Sequence, residues 1–151
     1  MKTYVQFILR IYMTALINIF LIFFSLIFIL NLLTELEFFK EIQVNSFYPL
    51  YLSLINTPMF VFEMFPFIFL ISTQVFFNNL FNNNEMNILK YSGLKNSKIF
   101  SILSIATFLL GIFLIFIFYN FSSNLKYFYL GLKSNYTTDN KYLAVITNNG
   151  L

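Results

Sequence analysis

The feature that most limits what this chain can fold into is a long run without any charged side chain. The run extends from Ile11 to Thr34, between Arg10 and Glu35. As an α-helix it would be roughly 36 Å long, enough to cross a hydrocarbon core of about 30 Å. The h-region of a signal peptide is only about 7–15 residues long and ends at a small-residue cleavage site, so a membrane span is favoured over that alternative.

Composition supports a lipid environment for the whole chain and argues against catalysis. Hydrophobic residues make up 59% of the sequence and charged residues 10%, whereas soluble domains carry about 25% charged residues. The chain has no Cys and no His, which excludes thiol nucleophiles, disulfides, imidazole bases and most transition-metal sites. We find no glycine-rich phosphate loop and no basic cluster. We therefore predict no enzyme, no cofactor, no metal and no nucleic-acid partner.

Two further spans are predicted. The apolar region from Phe47 to Phe81 is too long for one straight helix, and Pro58 and Pro66 interrupt it. We interpret it as a short interfacial segment over 47–57, with Ser46 as its cap, followed by a span. The third span begins near Ile99, with Ser97 as its N-cap. The three spans are predicted at about 8–34, 58–81 and 98–121, within a transmembrane region of 1–121.

The distribution of basic residues predicts the orientation. The amino terminus and the 78–98 loop together hold five Lys and Arg residues, whereas the opposite side, with Glu35, Glu37 and Glu41, holds only Lys40. The positive-inside rule therefore places the amino terminus in the cytoplasm and the chain after about Phe121 outside.

The last segment, 122–151, changes composition to Ser, Asn, Thr, Tyr and Lys. Residues 142–147 read as a β-strand, and Asn149-Gly150 is a type I′ hairpin signal. We expect a truncated periplasmic β-domain that begins here. A disordered polar tail is the alternative. The predicted fold class is thus an all-α membrane protein with three transmembrane helices and a short cytoplasmic helix, ending at the start of a truncated β-jellyroll.

The cytoplasmic loop contains a predicted two-turn helix at about 84–93. Asn84 is a suitable N-cap and Gly93 a suitable left-handed stop. The apolar side chains expected to be exposed between the two spans are Met86, Ile88, Leu89 and Tyr91. Such a helix either rests on lipid headgroups or docks into a groove on a soluble partner.

The order of these features resembles the amino-terminal half of the LptF/LptG permeases of lipopolysaccharide export, with LptG slightly favoured. The matching features are an Arg shortly before the first span, two prolines in the second region, an Asn-Glu-Met segment ending in Ser-Gly, and a Gly-Leu where a β-domain would open. These are Arg10, Pro58, Pro66, Asn84-Glu85-Met86, Ser92-Gly93 and Gly150-Leu151.

The resemblance implies a mechanism and a set of partners. Such a permease pairs with a second LptF/LptG-type permease on a cytoplasmic ABC ATPase dimer (LptB-type) and passes lipopolysaccharide to a periplasmic bridge protein (LptC/LptA-type). The loop helix would couple to the ATPase, and the first span would line the substrate cavity and lateral gate. The implied coupling residues are Glu85, Met86, Ile88, Leu89 and Gly93, and the implied cavity residues are Phe24, Phe28, Asn31 and Glu35.

Two non-enzymatic alternatives remain open at this point. An unrelated secondary transporter would need buried polar residues at mid-span, and the few candidates, such as Asn18 and Gln74, are scattered. A small membrane scaffold or assembly protein would need no ATPase. Glu63 lies inside the second apolar region, either as a functional intramembrane carboxylate or as an interfacial residue, and the interfacial interpretation is favoured.

Overall fold

The computed structural model describes residues 3–40, 42, 44–45 and 47–136, and all the regular structure in this part of the chain is helical. The helices are α1 (Thr3–Phe38), α2 (Phe47–Glu63), α3 (Phe65–Asn82), α4 (Glu85–Tyr91), α5 (Asn96–Phe113) and α6 (Tyr119–Ser134). A π-helical segment, Leu114–Phe118, joins α5 to α6. The helical part of the predicted fold class is confirmed. The predicted β-hairpin and the Ser46 cap lie outside the described residues.

Two helices are long and apolar enough to cross a membrane, and a third span results if the broken pair α2 and α3 counts as one. The two are Thr3–Phe38 and the continuous helical stretch Asn96–Ser134. The second of these continues 13 residues beyond Phe121, the predicted end of the third span. The polar residues after Phe121 therefore extend a helix.

The break in the second region lies at Met64, between α2 and α3, so the prediction of a boundary between Thr57 and Pro58 is wrong. Pro58 is inside α2, while Pro66 lies in the first turn of α3. Backbone N–H groups in a first turn have no acceptor within the helix, so a proline there removes no helical hydrogen bond. Next to Pro58, the Thr57 hydroxyl donates to the Ser53 carbonyl at 2.7 Å. The carbonyl that Pro58 leaves without a helical donor is that of Leu54, so this hydroxyl does not replace the missing bond, and α2 continues through the proline without it.

The predicted cap of the third span is also misplaced. Helix α5 starts at Asn96 with Lys95 in the N-cap position, and no side chain caps it. Ser97 is instead inside the first turn, so its hydroxyl does not play the predicted role.

The described residues divide into two compact units. Unit 1 comprises the chain up to Phe23 and Met64–Ile115, and unit 2 comprises Phe24–Glu63 and the chain from Phe116 onward. The core of unit 1 draws on α1, α3, α4 and α5, with the Tyr12 and Phe76 rings edge-to-face at 5.9 Å. Its buried members are Ile8, Tyr12, Ala15, Leu16, Phe76, Leu80, Met86, Leu89, Leu94, Ile99 and Leu103.

The core of unit 2 is smaller and more aromatic. Its buried members are Phe39, Leu52, Ile55 and Tyr129. Phe39, Tyr48 and Tyr136 pack against one another edge-to-face, with ring centroids 5.3–5.5 Å apart. Edge-to-face aromatic pairs add about 0.5–1.5 kcal/mol beyond the area they bury, so this triad stabilises the packing of α2 and α6 around the end of α1.

Candidate functional site

The short helix α4 in unit 1 is flanked by two residues whose backbone is in the left-handed conformation. Asn84 precedes it with φ of 56°, and Gly93 follows it with φ of 78°. The Leu94 amide donates back to the Leu89 carbonyl at 3.1 Å, a bond that closes the last turn. The left-handed stop predicted at Gly93 is confirmed. Asn84 is in the predicted N-cap position, but its side chain makes no capping hydrogen bond.

The two faces of α4 differ in exposure. Met86 and Leu89 are each only 5% exposed and belong to the core of unit 1, whereas Ile88 is 62% and Tyr91 90% exposed. The prediction that all four apolar side chains are exposed is therefore wrong for Met86 and Leu89. The residues reaching outward also include Asn87 and Lys90, so the accessible face is half apolar and half polar.

Glu85, the first residue of α4, lines a cavity of about 310 Å³ in unit 1. Its Oε2 atom is buried and has no hydrogen-bond partner. Arg10 on α1 lines the same cavity, but no ion pair joins the two side chains. The remaining lining residues are Phe7, Ile11, Thr14, Asn79 and Asn83.

In unit 2 the predicted cavity residue Glu35 is 1% exposed and lies in a compact polar cluster. Lys133 Nζ donates to both Glu35 oxygens, at 2.9 and 3.0 Å, and the Tyr129 hydroxyl donates to Oε1 at 2.6 Å. The ammonium also donates to the Tyr129 hydroxyl oxygen at 2.8 Å and lies 4.2 Å from the Phe38 ring centroid. The carboxylate charge is thus neutralised in place, as a buried charge requires.

The other predicted cavity residues occupy the same side of α1 as Glu35. Phe24, Phe28 and Asn31 are half-buried, and the Asn31 amide donates to the Thr57 hydroxyl of α2 at 3.2 Å. The exposed apolar side chains of α1 in this unit lie at other positions: Leu26, Ile29, Leu30, Leu33 and Leu36. The structure therefore brings the predicted residues onto the face of α1 that packs within the unit.

A second lysine of α6 is also partly buried. Lys126 Nζ donates to the Asn56 side-chain oxygen at 3.1 Å and lies 4.5 Å from the Phe60 ring centroid. Sequence reasoning missed Lys126, Tyr129 and Lys133 as a group. The available signal was their spacing, because residues three, four and seven apart share one face of a helix. Within the described residues no group of three or more Asp and Glu side chains could hold a metal ion.

Comparison with known families gives one match that covers nearly the whole chain. The family described as lipopolysaccharide export system permease LptF/LptG matches residues 6–150. Comparisons with curated proteins and with solved structures gave no match.

Proposed function

Since the chain belongs to the LptF/LptG family of lipopolysaccharide export permeases, we propose that it extracts lipopolysaccharide from the inner membrane as the transmembrane subunit of an ABC transporter. Membership identifies it as a multi-pass inner-membrane transport protein of a non-catalytic kind. In the proposed mechanism ATP is hydrolysed by a cytoplasmic LptB-type dimer, and the lipid is passed to an LptC/LptA-type bridge. A second LptF/LptG-type permease completes the complex. Our preference for LptG over LptF stays a prediction.

The observation that carries the coupling proposal is the two-faced exposure of α4. Met86 and Leu89 fix the helix in the core of unit 1, while Ile88 and Tyr91 remain exposed. A large exposed aromatic next to an exposed aliphatic residue is typical of a contact surface, because tyrosine supplies much area at a small cost in conformational entropy. We therefore assign the contact with the ATPase to Ile88 and Tyr91, and the positioning of the helix to Glu85, Met86, Leu89 and Gly93.

The orientation proposed for the chain follows from its basic residues. Lys90, Lys95 and Lys98 flank α4, and Arg10 lies near the same end of α1. The positive-inside rule assigns this end to the cytoplasm, where the ATPase is. The cluster around Glu35 is then on the periplasmic side, and the periplasmic β-jellyroll that would meet the bridge protein stays a prediction.

For the lipid path we propose the half of α1 that carries Phe24, Phe28, Asn31 and Glu35. Glu35 offers no free negative charge, since Lys133 and Tyr129 satisfy it. A phosphorylated lipid would therefore meet a neutral or basic surface here, with the partly buried Lys126 of α6 as an additional cation. The uncharged apolar run of α1 supplies contacts for the acyl chains of the lipid.

The test is co-purification of the chain with its ATPase from membranes. Tyr91→Asp and Ile88→Asp place a charge on the exposed face of α4, and both should abolish the association while leaving the chain folded and in the membrane. Ser97→Asp is the matched control, because it adds the same charge at an exposed position outside α4, in the first turn of α5. Retention of the ATPase by Tyr91→Asp would contradict the coupling proposal and favour a scaffold role.

A further inference from the structure

The cavity in unit 1 holds two opposite charges that are both without a protein partner. Arg10 and Glu85 line it, yet neither forms an ion pair with the other or with any other described residue. The Glu85 Oε2 atom is buried and makes no hydrogen bond. A buried carboxylate oxygen without a partner is costly, whereas Arg10 is exposed and keeps contact with water. The arrangement therefore fits a ligand whose cation reaches Glu85 and whose anion lies at Arg10.

The position of the cavity identifies the membrane surface as the source of that ligand. Arg10 is the last charged residue before the uncharged run of α1, and Phe7 and Ile11 on either side of it line the same cavity. Arginine at the end of a span places its guanidinium at the level of the lipid headgroups. The cavity thus combines apolar walls, which suit the start of an acyl chain, with polar groups at headgroup depth.

We propose that this cavity binds one glycerophospholipid whose headgroup carries a phosphodiester and a primary ammonium. The Arg10 guanidinium binds the phosphate, for which its forked donors are suited, and the Glu85 carboxylate accepts hydrogen bonds from the ammonium. The amides of Asn79 and Asn83 supply further donors and acceptors. A volume of about 310 Å³ is at the lower end for ligand sites, as expected for a headgroup whose tails remain in the bilayer.

The chemistry discriminates among lipid classes. A choline headgroup has no N–H to donate to Glu85, and a glycerol headgroup has no cation at all, so both lose the interaction with the carboxylate. The site does not include Ile88 and Tyr91, the proposed contact with the ATPase, although Glu85 is also one of the residues proposed to position α4. The lipid is a constituent that holds α1, α3 and the start of α4 together.

The test is native mass spectrometry of the full chain after reconstitution in nanodiscs and mild detergent extraction, without the ATPase. Separate nanodiscs contain phosphatidylethanolamine, phosphatidylcholine or phosphatidylglycerol. We expect one retained phosphatidylethanolamine per chain. Arg10→Gln should weaken its retention about ten- to a hundredfold, as for a hydrogen bond to a charged group. Glu85→Gln should remove the preference for phosphatidylethanolamine over phosphatidylcholine.

Controls separate this outcome from a general loss of charge or of fold. Lys90→Gln and Lys95→Gln remove exposed cations that do not line the cavity, and both should retain the lipid. If Arg10→Gln fails to insert into the membrane, Arg10→Lys takes its place as the test. It keeps the charge but lacks the forked donors, so we expect intermediate retention of the lipid. Equal retention of all three lipids by the unsubstituted chain, or no loss in Arg10→Gln, would overturn the proposal. A third outcome would also overturn it: no lipid is retained, and Glu85→Gln lowers the affinity for the ATPase. The cavity would then bind a basic side chain of that partner.

Discussion

Lys133 on α6 is bound to Glu35 at the end of α1 through two hydrogen bonds of 2.9 and 3.0 Å, across 98 positions of sequence. Both side chains are almost completely buried, at 5% and 2% exposure. Within unit 2 this ion pair ties the last turn of α6 to the last turns of α1. The Tyr129 hydroxyl contacts both charged groups, so the three side chains form one hydrogen-bonded cluster.

Removing one partner of the pair should be far more harmful than replacing both. Lys133→Met leaves the Glu35 carboxylate buried and unpaired, which costs about 3–5 kcal/mol in comparable sites. The double variant Glu35→Gln/Lys133→Met should regain most of that loss, because the amide still accepts from Tyr129. The measurement is the free energy of unfolding in detergent, with Lys40→Met at an exposed position as the control. A double variant as unstable as Lys133→Met would contradict this view of the cluster.

Tyr129→Phe should destabilise the chain more when the Glu35 carboxylate is present than when it is replaced by an amide. The substitution deletes the 2.6 Å hydrogen bond to Glu35, and a bond to a charged group is worth about 1.5–3 kcal/mol. In the Glu35→Gln background the same change should cost about half as much or less, since a neutral pair is worth about 0.5–1.5 kcal/mol. A double-mutant cycle on unfolding free energies gives the coupling directly. Equal costs in both backgrounds would mean that the hydroxyl acts through packing alone.

Gly93→Ala should destabilise the turn after α4 by backbone strain alone. A Cβ at this position meets no atom within 4 Å, but φ is +78°, and a left-handed conformation costs an L-residue about 1–2 kcal/mol. Gly93→Asn should cost less, because Asn tolerates this region. Gly111→Ala is the matched control, since its Cβ also meets no neighbour and its backbone is helical. Equal stability of Gly93→Ala and the unsubstituted chain would rule out the strain.

The orientation can be read by labelling, because the chain has no native cysteine. Tyr91→Cys should react with a membrane-impermeant maleimide only after the inner membrane is permeabilised. Lys40→Cys should react in intact spheroplasts. Tyr91 is 90% exposed and Lys40 is exposed as well, so access is not limiting when the chain is expressed without the ATPase proposed to cover Tyr91. The reverse pattern would place α4 in the periplasm and exclude a contact with a cytoplasmic ATPase.

The sequence predicted the features that depend on neighbouring residues. The charge-free run of α1 and the stop at Gly93 are local properties, and the structure contains both. The position of the break in the second region could not be predicted as well. A proline either ends a helix or remains inside it with one backbone bond missing, and α2 takes the second course at Pro58.

The polar cluster was beyond sequence reasoning for a different reason. Glu35 was singled out as a cavity residue, a role that stays a prediction, but its partners lie on α6, in a segment whose composition suggested exposure to water. Only the folded chain brings together residues so distant in sequence. The burial of Met86 and Leu89 was missed likewise, because a short amphipathic helix does not reveal which of its apolar residues are covered by α3.

The anchoring of α4 has a mechanical consequence. Met86 and Leu89 share one apolar cluster with Tyr12 of α1, Leu80 of α3 and Leu103 of α5. Close-packed side chains resist compression and transmit displacement to whatever they contact. A displacement applied to the exposed side of this seven-residue helix is therefore passed into the core that α1, α3 and α5 share.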